Sequence, residues 1–237
     1  LGQTRTEESV KIFRKELGLD KPYHVRYVNW LTSAIQGDLG STFSGRNATY
    51  ANQPQQNTAR SVSSLLKPRL FNTFFLAAMT AIIAIPLSLL LGITAALYRN
   101  SIYDRTVNAS ALTTISMPEF FVAYILIIYL ASINQFFPSL SNVTSSTPFF
   151  ERIYLSVLPA LTLTLVTVAH MMRMTRASII NLLSSPYIEM ARLKGISKTQ
   201  VIIKHALPNA WAPIANIIAF NLAYLIVGVV VVEVVFV

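Results

Sequence analysis

The amino-acid sequence predicts an all-α integral membrane protein, and three observations predict it. Only 12% of the 237 residues are charged, against about 25% in soluble domains, so much of the surface must avoid water. Four apolar stretches are each long enough to cross a bilayer, whose hydrocarbon core of about 30 Å needs about 20 apolar residues in a helix. Lys and Arg collect in alternate connections between those stretches, as retention of basic loops in the cytoplasm requires. A mean hydropathy of +0.52 agrees. The chain is long enough for a soluble core, so the arrangement of apolar residues decides the class, not the length.

In chain order, residues 1–68 are expected to form an extracytoplasmic region of amphipathic helix and loop, and residues 69–237 a transmembrane domain. Residues 8–17 read as a short helix closed by Gly18. Residues 24–35 place Val25, Val28, Leu31 and Ile35 on one face around Tyr27 and Trp30, an amphipathic helix closed by Gly37. Residues 44–64 are polar and read as loop. The spans are expected at about 70–97, 107–133, 154–174 and 211–237. Pro86, Pro118 and Pro159 lie in or near them, and ordinary kinking is favoured over a hinge role.

Orientation follows from charge. The short connection at 99–105 is basic, and so is 173–204, which holds Arg173, Arg176, Arg192, Lys194, Lys198 and Lys204. Residues 132–151 contain no Lys or Arg. The basic segments are therefore placed inside and the neutral one outside. Alternation then puts residues 1–68 outside despite their basic residues, which Glu7, Glu8, Glu16, Asp20 and Asp38 partly balance. Both ends read as cut from a longer chain, with a further span expected before residue 1.

The informative segment is SSPYIEMARLKGISKTQVIIKHALPNA, residues 184–210. Ser185 can cap a helix that has Pro186 at its first position. Glu189 suits the helix dipole. Gly195 supplies a left-handed stop. Ser197 and Gln200 form an S-x-x-Q box that starts a second helix, expected to stop by Pro208. Helix, glycine turn and helix between two spans make a rigid protrusion, suited to dock into a partner and transmit motion. A solvated connector is the bland alternative.

These residues resemble the EAA loop of permease subunits of binding-protein-dependent ABC importers. Glu189, Ala191, Gly195 and Leu207-Pro208 carry the likeness; Met190 stands where alanine is usual, and His205 where isoleucine is frequent. The His-Ala-Leu form, RMTRASIINLL before the loop, KELGLDKPYHVRYVNWL and QGDLGSTF near the start, and VVVEVVF at the end are similar to the dipeptide/oligopeptide/nickel branch. The resemblance implies a type I ABC importer permease fold, with four of six spans visible here. It implies a second permease subunit, by family tendency a paralogue, two ATP-binding subunits, and an extracytoplasmic substrate-binding protein. It places the chain as a multi-pass protein of a bacterial or archaeal cytoplasmic membrane. Within the EAA coupling loop at 185–208, Glu189, Ala191, Arg192, Gly195, Ile196 and Ser197 would face the ATPase.

Two carboxylates in apolar runs are candidates for the pathway, because an ionisable group inside a membrane is costly. Glu119 could attract a cationic peptide amine, or be a hydrogen-bonded buried carboxyl. Glu233 sits near the outer end of its span, where a structural or gate-lining role is favoured over substrate contact. His170 reads as a packed histidine, and Arg173 and Arg176 as snorkelling to headgroups. Asn134 and Asn142 carry no assignable chemistry.

No G-x-x-x-x-G-K-[ST] loop occurs, so the chain is not expected to bind ATP or act as an enzyme. The absence of cysteine excludes disulfides, thiolate metal sites and cysteine nucleophiles. No cofactor, metal or nucleic-acid partner is expected. The rivals are a secondary transporter or channel subunit, which would usually show paired intramembrane charges or broken helices in both halves, and a membrane enzyme, which would need convergent catalytic side chains.

Overall fold

The computed structural model describes residues 18–42, 60–144, 146–197 and 200–236, together with Lys11, Arg14 and Lys15. Most of the helix expected at 8–17 and of the loop expected at 44–64 lies outside these residues. The chain divides into two compact units, residues 1–71 and residues 72–237.

In the first unit, Gly18 has φ +63°. Its N–H donates to Lys15 and that of Leu19 to Arg14, the bonding that a left-handed C′ glycine makes possible. Helix α1 spans Tyr23–Ile35, as the sequence predicts, and Gly37 follows at φ +87°. None of its residues is buried. Ser41 and Ser61 form an antiparallel bridge, reinforced by Thr42 N–H to the Arg60 carbonyl at 2.9 Å. Helix α2 then begins at Val62, about eight residues before the expected span, and runs unbroken to Leu97. The expected polar loop therefore ends early, because Ser63 and Ser64 enter the helix and the Ser64 hydroxyl donates to the Ser61 carbonyl.

The second unit carries the spans. Helices α2 and α5 (Phe149–Leu183) and the stretch Lys204–Phe236 are each long and apolar enough to cross a membrane. The most apolar window of α5 is 67% buried, against 22% and 33% in the other two. Helix α5 is thus the central post, and the others present broad apolar faces outward.

On α2 the buried face is a ladder of small residues four apart: Thr80, Ala84, Ser88, Gly92 and Ala96. Small residues let helix backbones approach closely in a membrane. A Cβ added at Gly92 would lie 2.7 Å from the Met172 carbonyl oxygen and 2.9 Å from Thr175 Cβ, so α2 and α5 touch almost backbone to backbone there.

The second span departs from expectation. Helix α3 (Ile102–Ile115) ends, and α4 (Glu119–Leu126) leaves at 102° to it before widening into a π-helical segment, π1 (Ile127–Ile133). Pro118 has no N–H and disfavours helical geometry at Met117, while its carbonyl starts α4 by accepting from Phe121 and Val122. This exceeds ordinary kinking. At 1.5 Å per residue, each piece is only about 20 Å long.

Two clasps hold the two ends of the bent pair at opposite ends of α5. At one end Arg176 of α5 holds Asp104 of α3. At the other, Ser141 N–H donates to the Phe236 carbonyl at 2.8 Å, and Arg152 of α5 binds Asn72 Oδ1 at 2.6 Å and the Thr144 carbonyl at 2.7 Å. Arg152 and Arg176 are 24 residues apart on α5, about 36 Å along its axis. The chain therefore crosses the unit's full height between Asp104 and Ser141.

The third span is longer at both ends than expected, as α5. The fourth begins earlier. A second π-helical segment, π2 (Val201–Ala206), runs directly into α7 (Leu207–Phe236). Pro208 does not stop the helix. It sits in the first turn of α7, directly after π2, and Asn209 Nδ2 donates to the His205 carbonyl at 2.7 Å.

Candidate functional site: the elbow between α5 and α7

Helix α6 (Pro186–Leu193) and π2 form a bent element between the central post and the last span. Pro186 occupies the first turn, as expected. Ser185 does not cap with its side chain. Its carbonyl accepts from Ile188 and Glu189, while its hydroxyl turns back to the Leu182 carbonyl. That back-bond fastens the elbow to α5.

The glycine turn is as predicted. Gly195 has φ +76°, its N–H donates to Arg192 O at 2.9 Å, and Ile196 N–H donates to Ala191 O at 3.3 Å. These are the two bonds of a Schellman motif, and Ile196 supplies its usual apolar contact. It packs on a small core of Ile188, Ala191, Val201 and Ala206 with Leu182 and Leu183. Ile188 is fully buried. One arm of the expected capping box is present, Gln200 N–H to Ser197 Oγ at 3.4 Å. Lys198 and Thr199 lie outside the described residues.

The outer face of α6 is apolar and uncovered. Tyr187, Met190 and Leu193, three residues apart, are 41%, 56% and 76% exposed. Of the residues expected to face an ATPase, Glu189, Arg192, Gly195 and Ser197 are exposed, whereas Ala191 is buried and Ile196 half-buried, both in the elbow's own core.

The two candidate carboxylates are not brought together with the elbow or with one another. Glu119, half-buried, opens α4 beyond the break, where the helix N-terminus favours its charge. Its Oε2 would lie 3.3 Å from a Cβ placed on Gly228 of α7. His170 of α5 is within electrostatic reach of it and packs its ring 6.3 Å from that of Tyr224, as the packed-histidine reading expects. Glu233 accepts from Thr73 Oγ1 at 3.0 Å, linking α7 to α2.

Three features escaped the sequence reading. Arg176 does not snorkel: Nε and Nη2 donate to Asp104 Oδ1 and Oδ2 at 2.6 and 2.7 Å. Asn108 and the Asn100 N–H also donate to that carboxylate, which is nearly fully buried. Arg152 bridges three segments at the opposite end and stacks over Phe75 at 5.7 Å. The small-residue ladder of α2 could have been found from its four-residue spacing; the two arginine clasps join residues 72 and 80 apart and leave no local signal.

A helical unit with several long apolar helices, apolar outer faces and a compact elbow between two of them fits an integral membrane protein. Comparison with known proteins makes this specific. Residues 88–237 match the family described as binding-protein-dependent transport system inner membrane component. The chain is 33% identical over 239 aligned positions to the probable peptide ABC transporter permease protein y4tP of Sinorhizobium fredii, covering 99% of this chain and 71% of that one. It is 31% identical to the glutathione transport system permease protein GsiC of Salmonella typhimurium (99% and 70%) and 31% identical to the oligopeptide transport system permease protein AppB of Bacillus subtilis (94% and 68%). The chain belongs to this family of inner-membrane permease components of ABC importers. Membership implies a substrate-binding protein and an ATPase as working partners.

Proposed function

We propose that this chain forms half of the pathway by which short peptides or related small solutes enter the cytoplasm. The other half comes from a second permease subunit, a paralogue by family tendency. Two ATP-binding subunits seat the elbows, and an extracytoplasmic binding protein delivers the substrate. In this reading the elbow end faces the cytoplasm, and residues 1–68 lie on the opposite side.

The observation that carries the proposal is the two-sidedness of α6. Its inner face is locked to α5 and π2 by Ile188 and Ala191, while Tyr187, Met190 and Leu193 are uncovered. An exposed apolar face on a rigid element suits a docking groove. Closure of the ATPase pair can bias the spans only through contacts that differ between two states. A stiff elbow continuous with α7 transmits such a bias; a loose loop would not. Glu119 and Glu233 remain our candidates on the pathway. Glu119, beside a helix break and against Gly228, suits the ammonium group of a passing peptide.

The test is copurification. The full-length chain, expressed with its cognate partners, should bring down ATPase subunits with vanadate-sensitive hydrolysis. Leu193→Glu with Met190→Glu should abolish that association while the chain stays folded in the membrane. Undiminished ATPase recovery with the double variant refutes docking on α6.

A further inference from the structure

Between the elbow and the neighbouring ends of α2 and α5 lies a cleft of about 610 Å³. Its lining is divided about evenly between apolar and polar surface: Ala96, Leu97, Ile180, Leu183, Val201 and Ile202 supply the aliphatic part, and Ser184 is among the polar contributors. Arg99 and Arg192 line it too. Both arginines are exposed, and neither forms an ion pair among the described residues, where Arg176 pairs with Asp104 instead.

The position of the cleft matters as much as its lining. It opens where the apolar helix α2 ends at Leu97 and α5 ends at Leu183, and the ends of membrane-spanning helices are where headgroups are met. Guanidinium groups recognise phosphate oxygens through forked donors and stay charged at any physiological pH. Aliphatic side chains in one cleft with two guanidiniums that form no ion pair among the described residues therefore complement a molecule that is apolar at one end and anionic at the other. Basic clefts between helix ends on the cytoplasmic side take anionic headgroups for this reason. A free phosphate would leave the aliphatic walls wet, and a zwitterionic lipid would bring a cation of its own against the arginines.

We propose that this cleft binds one anionic phospholipid of the inner leaflet. Its phosphodiester lies on Arg99 and Arg192, and its glycerol and upper methylenes lie against the aliphatic walls. The volume falls within the range of about 300–1,000 Å³ typical of small-ligand pockets, which suits a headgroup and the first part of the chains. Because α2, α5, α6 and π2 all contribute walls, the lipid braces the elbow against the spans. The proposal rests on the reading that the elbow end faces the cytoplasm.

Native mass spectrometry of the complex of full-length chain and cognate partners, titrated separately with phosphatidylglycerol and phosphatidylcholine, tests it. Wild type should retain one phosphatidylglycerol in preference to phosphatidylcholine. Arg99→Gln or Arg192→Gln should each weaken retention about fivefold, and both together about 25-fold. Arg105→Gln, an exposed arginine outside the cleft, should leave retention unchanged. Wild-type retention by the double variant overturns the proposal. So does equal loss in Arg105→Gln, which would mean diffuse surface charge, and so does binding only when the ATPase subunits are absent, which would mean a protein contact. The readout needs no transport, so failure of the importer reading, registered as missing ATPase partners, is seen separately.

Discussion

Replacing Gly195 separates backbone geometry from side-chain size at the elbow. Its φ of +76° lies in the left-handed region, yet nothing sits within 4 Å of a Cβ built there. A substitution therefore meets no steric neighbour, and its whole cost is conformational. For an ordinary L-residue that cost is about 1–2 kcal/mol, and a β-branched residue stands at the upper end or beyond. One to two kcal/mol shifts the balance between formed and opened turn about 5- to 30-fold. Opening removes both Schellman bonds, to Arg192 and Ala191, and releases Ile196 from the elbow core. Asparagine adopts the left-handed region more readily than other residues and should be mildest. The assay is transport per ATP hydrolysed, in proteoliposomes containing the full-length chain and its partners. We expect coupling to decline in the order Gly195, Asn, Ala, Val, with basal hydrolysis retained and Val at least fivefold below wild type. Full coupling in Gly195→Val refutes the reasoning. So does an equal defect in Asn and Val, which would make side-chain bulk and not φ the cause.

Gly92→Leu drives a side chain into the Met172 carbonyl and Thr175. Overpacking of this kind costs about 1–3 kcal/mol, and a lowered melting temperature in detergent checks it, with Leu90→Ala on the exposed face as a near-neutral control. Asp104→Ala strands Arg176; loss of one partner of a buried pair costs about 3–5 kcal/mol, reduced towards about 2 because the Arg176 side chain is 23% exposed. Thermal stability should fall accordingly, and Arg176→Met in the same chain should recover part of it. Since the chain has no cysteine, single cysteines report sidedness cleanly: Leu193→Cys should react with an impermeant maleimide only from the cytoplasmic side and Thr147→Cys only from the outside. The reverse pattern refutes the assigned orientation.

Composition and local backbone chemistry were enough to predict long apolar helices over the first, third and fourth stretches, the helix expected at residues 24–35 and the Gly195 turn. Transfer of an apolar run into hydrocarbon is additive over neighbouring residues, and a left-handed stop depends on one glycine and its immediate carbonyls. The break at Pro118 was visible as a proline but not as a 102° turn, because proline fixes where a helix is weak and packing fixes how far it bends. Pro208 does not end the helix as the sequence predicts: π2 runs into α7 through it, and Val201 and Ala206 of π2 are buried with Ile188 and Ala191 of α6. Which apolar residues meet one another was not legible at all. Ile82 is 74% exposed and Ala84 fully buried on the same helix, yet both are apolar, because a bilayer solvates one face as readily as protein covers the other. The clasps of Arg176 on Asp104 and Arg152 on Asn72 belong to tertiary structure alone, since each joins groups that only the packed helices bring within hydrogen-bond reach.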